Sequence, residues 1–223
     1  MNIIKTPIDG LLIIEPKVFS DARGCFYESF NSRSFGEATG VDAAFVQDNH
    51  STSARNVLRG LHYQVSRPQG KLVRVTAGEV FDVAVDIRTS SPTFGRWFGS
   101  TLSAGNRRQM WIPAGFAHGF VVLSDSAEFL YKVTDYRAAE HERCIRWDDP
   151  QLGIDWPLQG SPILSAKDAE GFSLAAAELP TMTAARTLPR RMPQSQRITR
   201  LKRKGGFGVS AALPAEVPPT MPW

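Results

Sequence analysis

Apolar and polar residues alternate with a period of two through most of the first 150 residues, and this pattern commits the chain to a β-rich fold. Residues 72–77 and 80–87 flank a turn at Gly78, the pattern of a β-hairpin. In the second run Phe81, Val83, Val85 and Ile87 share one face, while Asp82 and Asp86 share the other. Further runs at 11–14, 25–30, 109–112, 118–123 and 128–134 read as strands. Turn clusters at 20–24, 67–70, 113–115 and 124–126 separate them. A short helix is expected over 32–38, with Asn31 as its cap and Gly40 as its stop. Many short strands with glycine and proline turns imply a sandwich or barrel of the jelly-roll kind. A βαβ rhythm, a phosphate loop and a dinucleotide fingerprint are all missing, which argues against a nicotinamide or ATP enzyme.

Charge is unevenly spread along the 223 residues. The formal net charge is +4, yet residues 181–223 hold eight of the 26 Lys and Arg and one of the 22 acids. Residues 1–180 therefore form a slightly acidic body, expected to be one domain. Residues 181–223 form a basic, proline-rich tail with few apolar anchors, expected to be disordered or loosely packed. The tail lacks stacking aromatics and any folded motif, so a nucleic-acid partner is not expected.

No apolar run approaches the length of a membrane helix, and the start lacks the basic end and long apolar stretch of a signal peptide. Cys25 and Cys144 are too few for a disulfide framework, so a reducing cytoplasm is the expected setting.

The chemistry starts from four histidines, since imidazole has the pKa for proton abstraction near neutrality. Taken alone, His62 reads as a structural or surface residue, but Arg59 and Lys71 stand close in sequence. Strict alternation puts Arg59 and His62 on opposite strand faces. For both to serve one pocket, Gly60 must mark a bulge. Tyr131 shares an inward face with Phe129 and Val133, which fits either a core tyrosine or a phenol donating a proton in a dry pocket. Pro113-x-Gly115-x-x-His118 resembles the second motif of the cupin superfamily, whose barrels often bind metal. The first motif's second histidine is replaced within His62-Tyr63-Gln64, so a metal set is incomplete and none is expected.

Arg23-Gly24-x-Phe26-x-Glu28, Gln47-Asp48-Asn49-His50-Ser51, Leu58-Arg59-Gly60-Leu61-His62, Gln69-Gly70-Lys71-Leu72, residues 113–120 and Tyr131-Lys132 run in one collinear order. Glu142, residues 147–150, residues 154–157 and Ser165-x-Lys167-Asp168 continue it. Together, over about residues 1–175, they resemble the dTDP-4-dehydrorhamnose 3,5-epimerase family. The resemblance implies a cupin-like jelly roll with a few short helices, a homodimer, and neither metal nor organic cofactor. It further implies inversion of C3 and C5 of a dTDP-4-keto-6-deoxy sugar on the way to dTDP-L-rhamnose. His62 corresponds to the general base, Asp168 to its charge partner, Tyr131 to the opposed proton donor and Lys71 to the cation near O4. Arg23, Phe26, Glu28, Gln47, Asp48, Asn49, Arg59, His118, Arg137, Glu142 and Lys167 are its substrate-binding candidates.

Those residue types suit the reaction. C3 and C5 both flank the C4 ketone, so loss of either proton gives an enolate. Inversion needs a base on one face, an acid on the other and positive charge at the oxygen. Two departures stand out. Arg137 follows Tyr136 where the family commonly has a second tyrosine that stacks on thymine, and the basic tail has no counterpart. The other readings are a 3- or 5-monoepimerase, a noncatalytic sugar-nucleotide binder and a cupin metalloenzyme.

Overall fold

The computed structural model describes residues 1–180. Thirteen strands carry the fold: β1 (Asn2–Lys5), β2 (Leu12–Glu15), β3 (Phe19–Asp21), β4 (Gly24–Phe26), β5 (Gln47–Ala54), β6 (Leu58–Gln64) and β7 (Lys71–Ala77) come first. They are followed by β8 (Glu79–Asp86), β9 (Trp97–Ser103), β10 (Gln109–Ile112), β11 (Phe116–Val122), β12 (Ser126–Val133) and β13 (Glu142–Cys144). A six-stranded sheet has the order β1-β2-β10-β7-β12-β5, and a five-stranded sheet the order β13-β6-β11-β8-β9. Every pairing in both is antiparallel. β3 and β4 pair only with each other.

The runs at 72–77 and 80–87 do form strands, but not the expected β-hairpin. β7 pairs with β10 and β12, and β8 with β11 and β9, because the turn at Gly78, with φ of +74°, carries the chain from one sheet to the other. A Cβ there would lie 2.0 Å from the Ser126 carbonyl oxygen, so glycine is required by both dihedral and space. The expected helix forms as α1 (Ser32–Thr39). The Asn31 side chain accepts from the Ser34 N–H, and Gly40 closes the end in the left-handed conformation. The strand expected over 25–30 stops at Phe26, because β4 has no partner beyond the short β3. A second short helix, α2 (Ala166–Ala169), was not anticipated, although Ser165-x-x-Asp168 has capping-box spacing and caps it.

Three apolar clusters hold the layers. Between the sheets, Val73, Val75, Met110, Ile112 and Phe129 of the first meet Val80, Ala84, Leu102, Phe116 and Phe120 of the second. Phe120 and Phe129 stack across the gap with centroids 4.2 Å apart and planes at 13°. Burying one such phenylalanine contributes roughly 1.5–3 kcal/mol. Helix α1 lays Phe35 on Leu72 and Trp111, covering the outer face of the six-stranded sheet. On the outer face of the five-stranded sheet, Leu58, Leu61, Tyr63, Val83, Val85 and Ile87 pack under Ile145, Leu152, Trp156 and Leu174 from the segment after β13.

The apolar face of β8 is thus turned away from the inter-sheet space, and Asp82 and Asp86 are both fully buried. Asp86 is sealed by Arg88, Ser91 and Thr93, with hydrogen bonds of 2.6–2.8 Å. Asp82 points to His118.

The irregularity expected at Gly60 is present. His62 pairs with His118 and Arg59 with Phe120, so three steps on β6 oppose two on β11. Leu58, Leu61 and Tyr63 pack in the outer cluster, and Arg59, His62 and Gln64 line the opposite side. Gly60 has φ of +124°, its peptide to Leu61 is cis, and a Cβ on it would lie 2.5 Å from Gly119 Cα. Gly60→Ala should therefore lower the unfolding free energy by about 2–5 kcal/mol, from a disfavoured dihedral and backbone overlap together. Urea titration measures this, and a change below about 0.5 kcal/mol would contradict the requirement for glycine.

Candidate active site

The bulge in β6 opens the inter-sheet space into a cavity of about 370 Å³. The five-stranded sheet contributes Arg59, His62, Gln64, His118 and Glu142, and the six-stranded sheet contributes Asn49, Lys71, Phe129 and Tyr131. His62 and Tyr131 therefore stand on opposite walls, each on the cavity-facing side of its strand. Arg137 lies at the rim.

His62 is held from behind. Its Nε2 lies 2.5 Å from Asp168 Oδ1, and the Asp168 side chain is only 5% exposed. Asp168 also takes the Ser165 hydroxyl at 2.7 Å, the Gly60 N–H at 3.4 Å and the Cys144 thiol at 3.9 Å. Burial pushes this carboxyl up, and the hydrogen bonds and charge of His62, with Ser165 and Gly60, outweigh it; the net shift is downward. Asp168 is thus a carboxylate, and it fixes the imidazole so that Nδ1 is the ring nitrogen left for the cavity. Burial pushes the Cys144 thiol up to about 12, with Asp168 adding to the effect, so it stays protonated.

Lys71 is buried, with Nζ 3.3 Å from the His62 carbonyl. Burial lowers its pKa to about 8, while Glu142 and Asp82 hold it up. Tyr131 is raised by burial and then by Glu142, with Arg137 and Arg59 opposing, so the phenol remains a proton donor. His118 Nε2 sits 2.9 Å from Asp82, and burial lowers its pKa against the pull of that carboxylate.

At the rim, Glu142 Oε2 pairs with Arg137 Nη2 at 2.9 Å and with Lys167 Nζ at 2.8 Å. Burial raises the Glu142 carboxyl, and its two cation partners more than reverse the effect. Gln47 stands just behind the wall; its side chain donates to Asn49 and accepts from the Arg137 N–H.

Of the residues expected from sequence, the cavity gathers His62, Lys71, Tyr131, Asn49, Arg59, His118, Arg137 and Glu142. Asp168 and Gln47 brace its walls, and Lys167 joins the rim through Glu142. Four residues lie elsewhere. Asp48 alternates to the outer face of β5 and pairs with Lys132. Arg23, Phe26 and Glu28 belong to the β3–β4 hairpin and its exit, which does not join either main sheet. Arg23 pairs with Asp21, Phe26 is 70% exposed, and Glu28 accepts from Asn31.

Sequence reasoning missed Gln64 and Gln69 on the cavity wall, and Asp82, Ser165 and Cys144 behind it. Ser165 was legible from its capping spacing, and Cys144 from its cross-strand pairing with His62 once β13 is known. Nothing local marked Asp82 as an inward residue.

The sequence profile described as dTDP-4-dehydrorhamnose 3,5-epimerase matches residues 5–176. A dTDP-4-dehydrorhamnose 3,5-epimerase from Pseudomonas aeruginosa is 64% identical over 178 residues, covering 80% of this chain and 98% of its own. The crystal structure of a dTDP-6-deoxy-D-glucose-3,5-epimerase from Legionella pneumophila, in complex with dTDP-4-keto-L-rhamnose, superposes with a TM-score of 0.80 at 57% identity. That match covers 82% of this chain and 99% of the other. A 3'-monoepimerase from Streptomyces bikiniensis, in complex with dTDP-quinovose, gives 0.74 at 37% identity over 79% of this chain and 91% of the other. The protein described here belongs to the dTDP-4-dehydrorhamnose 3,5-epimerase family.

Proposed function

We propose that the protein inverts C3 and C5 of a dTDP-linked 4-keto-6-deoxy sugar, with His62 as base, Tyr131 as acid and Lys71 as the cation at O4. The observation that carries this reading is the placement of an imidazole and a phenol on opposite walls of one cavity, with a buried ammonium lining the same cavity and hydrogen-bonded to the His62 backbone carbonyl. His62 takes the proton from C3 or C5, and Asp168 stabilises the imidazolium that forms. Electron density moves to O4, where Lys71 meets the developing charge in a site of low dielectric. Tyr131 then returns a proton to the opposite face of the ring. Arg59, Arg137 and Lys167 supply positive charge for the diphosphate.

A homodimer working in the cytoplasm completes the proposal. Support for the dimer comes from Phe26 and its cross-strand partner Phe19, exposed rings that form an apolar patch a second copy would cover. Among the described residues no helix is long and apolar enough to cross a membrane. Double epimerisation is favoured over single because relatives named 3,5-epimerases reach 64% identity, against 37% for the 3'-monoepimerase.

Incubation with dTDP-4-dehydro-6-deoxyglucose in heavy water should place deuterium at both C3 and C5, read by NMR. Exchange at one carbon would turn the assignment to a monoepimerase, and exchange at neither would defeat it. His62→Asn should lower kcat by about 10²–10⁴-fold and abolish exchange. Tyr131→Phe should retain exchange, because enolisation survives, yet yield little inverted product. Equal loss of exchange in both variants would overturn the division of roles.

The pH dependence follows from Lys71. It is a cation below its pKa of about 8 and neutral above, so kcat should fall as pH rises through that region. Replacing Glu142 by Gln removes a charge that holds Lys71 up, and should move this limb to lower pH. A pH profile of both proteins checks the sign.

A further inference from the structure

The cavity accounts for one nitrogen of His62; the other belongs to a second group of donors behind the ring. His62, Cys144 and Asp168 bring an imidazole nitrogen, a sulfur and a carboxylate oxygen within 4.8 Å of one another. The grouping follows from strand register, since β13 pairs with β6 so that Cys144 stands opposite His62. Asp168 arrives from α2, capped by Ser165. Cys144 and Asp168 are both buried, while the His62 side chain is 28% exposed on the cavity wall.

We propose that His62, Cys144 and Asp168 form an inhibitory site for a thiophilic divalent cation of the Zn²⁺ class, bound on the face of the imidazole opposite the sugar. The donor set is one that zinc accepts, and hard cations such as Mg²⁺, which prefer oxygen, do not match its sulfur. Two bonds near 2 Å at a tetrahedral angle separate a nitrogen and an oxygen by ~3.3 Å. The His62–Asp168 contact of 2.5 Å must therefore open by about 0.8 Å. The Cys144–Asp168 separation of 3.9 Å needs only to tighten. Binding displaces the thiol proton to solvent and forms metal–sulfur, metal–nitrogen and metal–oxygen bonds with no change of oxidation state.

The consequence for catalysis is specific. An imidazole that coordinates metal through Nε2 carries its proton on Nδ1, the nitrogen that faces the cavity. It cannot accept a proton from the sugar, and Asp168 is diverted from stabilising the imidazolium. The inhibition half of the inference rests on His62 being the base; the binding half does not.

The test uses the full-length protein stripped of metal. One equivalent of Co²⁺ should produce a thiolate-to-cobalt charge-transfer band that Zn²⁺ then bleaches. Zn²⁺ should inhibit epimerisation, chelation should restore it, and Mg²⁺ at the same concentration should have no effect. Cys144→Ala should lose the band and raise the inhibitory Zn²⁺ concentration at least about tenfold, the scale of a damaged metal shell. Cys25→Ala, which alters the exposed cysteine, should keep both band and inhibition. Absence of the band, its dependence on Cys25, equal inhibition by Mg²⁺, or unchanged Zn²⁺ sensitivity in Cys144→Ala would each overturn the site. A protein that binds Co²⁺ through Cys144 but fails to exchange sugar protons would unseat the proposed function and leave the site standing.

Discussion

The close approach of Gly60 to Gly119 decides where the catalytic imidazole can point. β6 inserts one residue against β11, and the insertion fits because neither strand carries a side chain at the crossing. A Cβ on Gly119 would lie 2.6 Å from the Arg59 carbonyl oxygen, and one on Gly60 would meet Gly119 Cα. Before the bulge, Leu58 is buried in the outer cluster; after it, Leu61 and Tyr63 are again in that cluster. Arg59 and His62, three residues apart, consequently share the cavity. A regular strand would send one of them into the apolar layer under Trp156, where an unpaired charge is costly.

Having placed polar groups between two sheets, the fold must neutralise them. Asp82 answers His118, and Asp168 answers His62. Glu142 answers Arg137 and Lys167 while its field reaches Lys71 and Tyr131. Lys71 is the exception, because its hydrogen bond goes to a neutral carbonyl. Burial lowers its pKa against the pull of Glu142 and Asp82, and an oxyanion arriving beside it would supply a direct charge partner. Among the described residues no buried side-chain nitrogen or oxygen is left without a partner. Such a site is organised before substrate arrives, which is what electrostatic stabilisation requires.

Local pattern revealed much of this and concealed a definite part. The turn at Gly78, α1 with both its caps, and the need for a bulge at Gly60 were readable because each depends on neighbours in sequence. The expected pairing of β7 with β8 failed because each strand takes its partners from a different sheet. The direction of the β8 faces was not. Alternation separates Phe81, Val83 and Val85 from Asp82 and Asp86, yet which side meets the other sheet depends on the segment 145–179, far along the chain. The same remoteness hid Asp82 as the partner of His118 and Cys144 as the neighbour of Asp168. Arg23, Phe26 and Glu28, expected at the site by resemblance, stand outside the cavity of the single chain, on a β3–β4 hairpin and its exit that join neither main sheet. The tail of 181–223, read as a loosely held basic segment, falls outside the described residues.

Base and acid sit on different sheets, and that division ties function to core packing. His62 is carried by β6 and Tyr131 by β12, strands that share no hydrogen bond. Their separation is set by what fills the space below them, chiefly the stack of Phe120 on Phe129. Phe129 also lies against the His118 and Tyr131 rings, at 5.9 and 6.1 Å. A smaller residue at 129 would leave a void that the two sheets fill only in part. It would also loosen the phenol and one imidazole together. Inversion demands that a proton leave one face of a ring and return to the other within a single bound geometry, so an ångström of slack between sheets bears directly on turnover. The apolar layer beneath the cavity therefore acts as the spacer that keeps an acid and a base on opposite sides of one sugar.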